Sequence, residues 1–197
     1  MSGTEGERGD VEISRLLAGA AKVIARVRYC WLVTKAETGG VNARPMGRVL
    51  PDPDENDWNV RFVTDRRSRK ASDIRRASNV VLIFQHDPDD AFVALIGRAA
   101  TLIERASELG RLWKDTYDSY VPSEADRANA GFFEVGVERM ELWIRGVTQL
   151  SHATKLERDA GGTWRLSDRN TTRSRLAGRR ARHSRRPREA SRQLAAF

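Results

Sequence analysis

From Tyr29 to Leu166 the chain is broken into short apolar or alternating runs, each closed by a glycine or proline turn, and this punctuation constrains the fold most. Tyr29-Cys-Trp-Leu-Val-Thr34 is β-rich and ends at Gly39-Gly40; Val41 to Leu50 returns, which predicts a hairpin. Pro51 to Asp57 reads as a polar loop, and Trp58 to Thr64 alternates in the manner of a half-buried strand. Val80-Val-Leu-Ile-Phe84 is continuously apolar and predicts a strand buried on both faces. Pro88-Asp-Asp90 makes a turn into Phe92-Val-Ala-Leu-Ile96, where Gly97 permits a bulge or close packing and the strand can run on through Thr101-Leu-Ile103. Phe132 to Val137 and Met140 to Ile144 read as two further strands. A last pair, Thr154 to Arg158 and Thr163 to Leu166, turns at Gly161-Gly162. Many short strands and few helices predict a mainly β domain, a closed antiparallel barrel.

Helices are few. Ile13, Leu16, Leu17, Ala20, Ile24 and Val27 recur at helical spacing and predict an amphipathic helix over the core, after a polar, flexible leader at residues 1–10. Ser107 to Tyr120, with Leu109, Leu112, Trp113 and Tyr117 on one stripe, predicts a second helix that Pro122 ends. The main domain is expected over residues 11–168. Beyond it, residues 169–197 carry ten arginines and one glutamate without periodicity and are expected to be disordered. That tail's net +9 exceeds the whole chain's +8, so the residues before it sum to −1. The basic character belongs to the tail and not to the domain, which removes the electrostatic footprint of a nucleic-acid-binding fold. The simpler reading of the tail is an unstructured extension; a polyanion contact through it is the weaker alternative.

The single cysteine, Cys30, excludes an intramolecular disulfide and reads as a buried thiol. No apolar run approaches the ~20 residues of a membrane span, and the polar start shows no signal peptide, so a cytoplasmic protein without membrane contact is expected. There is no paired-cysteine spacing, no phosphate-binding glycine loop and no His-Glu-x-x-His; His86 with Asp87, Asp89 and Asp90 reads as a turn rather than a metal set. No serine has an activating His-Asp arrangement, so catalytic side chains remain unassigned and any chemistry would fall to a bound cofactor.

One stretch offers a place for such a cofactor. In Phe62-Val-Thr-Asp-Arg-Arg-Ser-Arg-Lys-Ala-Ser-Asp-Ile74 a strand ends at Thr64, Ser68 can cap the helix that follows, and four cations lie between. Free N–H groups, the helix dipole and Arg or Lys together suit a phosphate. Arg44, at the start of Arg44-Pro-Met-Gly-Arg-Val49, is expected on a strand neighbouring Trp58–Thr64, which would bring a second cation to the same corner. The Met46-Gly47 backbone could hydrogen-bond a planar heterocycle and Trp143 could cover it. A surface arginine and a core tryptophan are the plain alternatives for Arg44 and Trp143.

Together these residues resemble the FMN-binding split-barrel family, the pyridoxamine-phosphate-oxidase-like flavoproteins. The resemblance runs from about Val23 to Leu166 and rests on the strand pair ending in Arg44, on Val63-Thr64-x-x-x-Ser68-Arg69-Lys70, on Phe92-Val-Ala-Leu-Ile-Gly97 and on Glu141-Leu-Trp143. It implies a split antiparallel β-barrel and a homodimer with FMN at the subunit interface. Arg44, Ser68, Arg69 and Lys70 would hold the phosphate, Met46, Gly47, Val63 and Thr64 would lie along the flavin and ribityl chain, and Trp143 would come from the other subunit. A deazaflavin is the alternative cofactor, since related split barrels use it. True pyridoxamine phosphate oxidases carry Arg-Leu-His-Asp-Arg where this chain has Gln149-Leu-Ser-His-Ala153, and a substrate lysine where it has Val49. The resemblance therefore implies the general-stress-protein branch: an oxidoreductase-like protein on an unassigned small molecule, or a non-catalytic flavin-binding protein.

Overall fold

The computed structural model describes residues 3–47, 58–103, 110, 113, 115–149 and 151–167. The loop at Pro51–Asp57, Val49, the first half of the helix expected over Ser107–Tyr120 apart from Gly110 and Trp113, and the arginine-rich tail lie outside them; the second half of that expected helix is a 3₁₀ turn at Asp115–Tyr117 followed by turns.

Helix α1 (Gly3–Arg26) begins inside the stretch read as a leader and buries Leu16, Ala20, Val23 and Ile24. Strands β1 (Cys30–Lys35) and β2 (Val41–Met46) form the expected hairpin, with Gly39 and Gly40 at φ +94° and +73° in the turn. Then come β3 (Val60–Asp65), α2 (Arg69–Arg76), β4 (Asn79–His86), β5 (Ala91–Ile103), α3 (Glu124–Ala128), β6 (Ala130–Ile144), β7 (Thr154–Arg158) and β8 (Trp164–Leu166). A 3₁₀ turn at Asp87–Asp89 joins β4 to β5, as the Pro-Asp-Asp run requires, and another lies at Asp115–Tyr117.

All pairings are antiparallel, and the sheet runs β2-β1-β4-β5-β6-β7-β8. Strand β3 stands off this path and pairs with β6. The path does not close on itself, because β3 leaves it to pair with β6, so the closed barrel that the strand pattern suggests is corrected to a split one. What reads as two strands after Phe132 is the single strand β6. Its first half lies between β3 and β5, its second half between β5 and β7. The changeover is a bulge: Ile96 pairs with Arg139 and Gly97 with Val137, leaving Glu138 as the extra residue. A Cβ on Gly97 would overlap the Gly136 carbonyl oxygen, so only glycine lets the two backbones pass there.

Alternation decides the core. Val80, Leu82 and Phe84 of β4, Val93 and Leu95 of β5, and Met140 and Leu142 of β6 point inward beneath α1. The opposite face of β4 is not buried as the continuous apolar run suggests. Val81 and Ile83 are only half-buried and, with Phe92, Ala94, Ile96 and Trp143, line a hollow of about 850 Å³. Among the described residues α1 covers the inner face, α2 adds Ala71 and Ile74 to the core, and this outer face of β4 and β5 is left open.

Candidate functional site

The corner between β3 and α2 is built by its own backbone. Asp65 turns the chain: its carbonyl accepts from Ser68 N (3.0 Å) and its Oδ1 from Arg67 N (2.8 Å). That backbone bond, and then the Arg67 side chain, hold the Asp65 carboxyl below the usual range. Ser68 is the N-cap that the sequence suggests, extended at φ −67° and ψ 154°, with Oγ accepting from Ala71 N (3.4 Å). Arg69 opens the helix and is exposed, whereas Lys70 is half-buried.

A cleft of about 330 Å³ lies against this corner. Its walls include five of the residues singled out from sequence: Met46, Gly47, Val63, Thr64 and Lys70. Tyr117, Tyr120 and Val121 close the other side. The Tyr120 ring packs so tightly on Gly47, just past the end of β2, that a Cβ there would overlap it. Thr64 is 5% exposed, and its Oγ1 is buried with no hydrogen-bond partner among the described residues. The residue facing it across the β3–β6 ladder is Gly131, which has no side chain to offer one. Burial lowers the pKa of the Lys70 ammonium, and the nearby positive charge of Arg44 lowers it further; Asp65 offsets part of this.

Arg44 reaches this corner by a route other than the one its sequence position suggests. Strand β2 pairs with β1 and β3 pairs with β6, so the two are not neighbours. Instead Asn42, Arg44 and Met46 share a face of the hairpin with Leu32 and Thr34, and α2 packs across β1 from that side. Asp73 of α2 is 4% exposed and gathers the polar groups there. Its Oδ2 accepts from Thr34 Oγ1 (3.0 Å), Asn42 Nδ2 (2.9 Å) and Arg44 Nη2 (3.0 Å), and its Oδ1 from Arg76 Nη2 (3.1 Å). Burial pushes the Asp73 carboxyl up; the bonds from Asn42, Thr34 and Arg44, with the charge of Arg44, outweigh it and the net shift is downward. Arg44 Nη2 also donates to Thr34 Oγ1 (2.8 Å), while Nη1 is buried and makes no hydrogen bond among the described residues.

Lys70 and Thr64, whose hydroxyl is buried with no partner among the described residues, line one cleft; Arg44, Ser68 and Arg69 stand outside its lining, and Arg44 is near enough to Lys70 for its charge to be felt there. That set suits a phosphorylated ligand with a polar chain. Trp143 is not part of this set; it lies on the separate apolar hollow. Sequence reasoning missed Asp73, Tyr117 as a cleft residue, and Tyr120. The signal for Asp73 was its place three residues after Lys70, one turn on along the same helix. Elsewhere Cys30 is buried and its thiol is pushed up to about 12, which leaves it inert at neutral pH. Among the described residues no three His, Cys, Asp or Glu stand together as a metal set, and no helix is long and apolar enough to cross a membrane.

The family described as "Pyridoxamine 5'-phosphate oxidase like" matches residues 18–160, well over half of the chain. The chain belongs to this family. A protein related to general stress protein 26, from Clostridium acetobutylicum, superposes with a TM-score of 0.61 at 17% identity, covering 73% of this chain and 94% of the other. A pyridoxamine 5'-phosphate oxidase-related, FMN binding protein from Nostoc punctiforme gives 0.58 at 17% identity, with coverage of 79% and 93%. An F420 reductase gives 0.50 at 15% identity, with coverage of 62% and 95%. At these identities the likeness establishes the split-barrel fold. No protein of curated function matches the chain.

Proposed function

We propose that the cleft binds FMN and that the protein is a cytoplasmic, homodimeric, flavin-dependent oxidoreductase acting on a small molecule other than pyridoxamine phosphate. The observation that carries this reading is the Thr64 hydroxyl, buried without a partner among the described residues, in a cleft shared with Lys70, whose ammonium feels the charge of Arg44. A buried polar atom left unpaired costs free energy that a ligand oxygen or nitrogen would recover. Lys70 and Arg44, with the Ser68–Arg69 corner, would face the phosphate; Met46, Gly47 and Val63 would border the ring and ribityl chain. Tyr117 and Tyr120 would keep water from the cleft. A bound flavin supplies the redox chemistry, and the chain's own residues bind and orient it. The family membership and the FMN-binding relative support the choice of cofactor.

The likeness to an F420 reductase favours a second cofactor, a deazaflavin, in the same cleft. The Gln149-Leu-Ser-His-Ala153 segment, without the cations of a vitamin-phosphate site, also leaves room for a flavin-binding protein with no turnover. The homodimer rests on the apolar hollow. Val81, Ile83, Phe92, Ala94 and Ile96 form a face that a second copy would cover, carrying Trp143 towards the partner's cleft. The visible spectrum of the purified protein, followed by titration with FMN and with riboflavin, tests the cofactor. A colourless protein that gains no heat stability from FMN or from a deazaflavin refutes the proposal.

A further inference from the structure

The buried carboxylate of Asp73 deserves a role that neither the fold nor the cleft lining assigns to it. It lies outside the cleft walls, yet it binds the cation beside them. Four side chains donate to it: Thr34, Asn42, Arg44 and Arg76. A carboxylate removed from water is tolerated only when it is paired and hydrogen-bonded. Here that requirement is met by a network that also immobilises Arg44. One guanidinium nitrogen, Nη2, is shared between Asp73 and Thr34, so the plane of the group is fixed at two points. The remaining terminal nitrogen, Nη1, is buried without a partner among the described residues. Lys70 sits one turn before Asp73 on the same helix, near enough to Arg44 to feel its charge.

Resting on the FMN reading above, we propose that Asp73 is a positioning residue. Its carboxylate, braced by Thr34 and Asn42, holds the Arg44 guanidinium beside Lys70 with Nη1 free for the phosphate. The two neighbouring cations repel each other, and without the brace the long Arg44 side chain would swing away. The brace removes that freedom before the ligand arrives, so less entropy is lost on binding. Arg76, bonded to Oδ1 and to the Lys35 carbonyl (2.9 Å), pins the carboxylate from its other oxygen.

The sign of one mutation separates positioning from mere proximity. Were Asp73 only a negative charge near the phosphate, Asp73→Asn would tighten FMN by removing repulsion. A positioning role predicts the reverse: FMN weakens roughly tenfold while riboflavin, which has no phosphate, is unaffected. Both dissociation constants are read from flavin fluorescence, with circular dichroism checking the fold. Thr34→Val keeps shape and charge but removes the hydroxyl shared by Arg44 and Asp73. It should lower FMN affinity several-fold with the same selectivity, and it decides the matter alone if Asp73→Asn does not fold. In the Arg44→Ala background, Asp73→Asn should cause no further selective loss. FMN affinity unchanged or improved overturns the proposal. An equal loss for FMN and riboflavin also overturns it, since that is what a purely structural role produces. Wild-type protein that binds neither flavin instead brings down the FMN reading itself, and this inference with it.

Discussion

Thr64→Val should move stability and ligand affinity in opposite directions. The side chain is 5% exposed, its Oγ1 has no partner among the described residues, and Gly131 faces it across the ladder. Valine has the same branched shape and an equal or better preference for a strand. In the ligand-free protein the substitution removes a buried, unpaired hydroxyl, whose desolvation costs about 1–3 kcal/mol. Taking the low end of that range, a gain of about 1 kcal/mol is expected. For a chain of this size that raises Tm by about 2–4 °C. With FMN bound, the same change deletes a hydrogen bond worth about 1 kcal/mol, so the dissociation constant rises about fivefold. Thermal unfolding of both proteins, with and without saturating FMN, measures the two effects together. The mutant should melt higher alone and gain less from FMN than wild type. A mutant that melts lower in the absence of ligand refutes the reasoning, because the hydroxyl would then have had a partner.

Lys70→Ala should weaken FMN by about 1.5–3 kcal/mol, the worth of a charged hydrogen bond, with fluorescence titration as the readout. Because the folded-state pKa of Lys70 lies below its unfolded value, the fold disfavours the ammonium. That penalty is present below the folded pKa and disappears as pH rises through it towards the ordinary lysine value. Ligand-free stability should therefore gain slightly across this alkaline window, while FMN affinity falls as the ammonium is lost; Lys70→Ala should flatten both trends. Gly97→Ala places a Cβ on the Gly136 carbonyl and should cost at least about 2 kcal/mol in a denaturant melt; a loss under ~0.5 kcal/mol would mean that the bulge yields. Phe92→Glu, on the apolar hollow and 39% exposed, should leave circular dichroism intact and shift the molar mass from dimer to monomer in light scattering. An unchanged mass would place the interface elsewhere.

The strands and turns were legible because each depends on a local signal. Gly39-Gly40, Pro88-Asp-Asp90 and Gly161-Gly162 mark reversals that the backbone obeys, and Ser68 caps α2 as its residue type demands. Long-range pairing left weaker traces. Nothing in Trp58–Thr64 says that it pairs with β6 and not with β2, because both edges suit an alternating strand. The break expected between Val137 and Met140 was the bulge at Glu138, which the charged pair Glu138-Arg139 disguised as a loop. Three of the cleft residues, Val63, Thr64 and Lys70, followed from motif spacing, since the turn from β3 into α2 fixes their relative places, and Met46 and Gly47 followed from the end of the β1–β2 hairpin. Asp73 and Tyr120 did not, because each acts through a residue distant in sequence, Arg44 in one case and Gly47 in the other.

The two hollows differ in chemistry, and that difference bears on the proposed dimer. The smaller cleft is polar where it meets α2 and holds the means to fix an anionic end: Lys70, the Thr64 hydroxyl and, beside it, Arg44. Among the described residues its aromatic lining is Phe62, Tyr117 and Tyr120, and Tyr120 is 48% exposed. The larger hollow is apolar, with Trp143 beside Phe92 and with Asp90, Arg139, Glu141 and Arg145 at its margin. A planar heterocycle anchored by its phosphate in the first would still expose much of its ring. A neighbour presenting the second would bury both apolar surfaces at once, and Arg145, paired here with Asp90, lies where opposite charges could set the register between copies. If that pairing of surfaces holds, FMN should bind more tightly to the dimer than to monomeric Phe92→Glu, although Phe92 lies outside the cleft. Titration of the two proteins across a dilution series measures this. Equal affinity in the two would separate the flavin site from the interface.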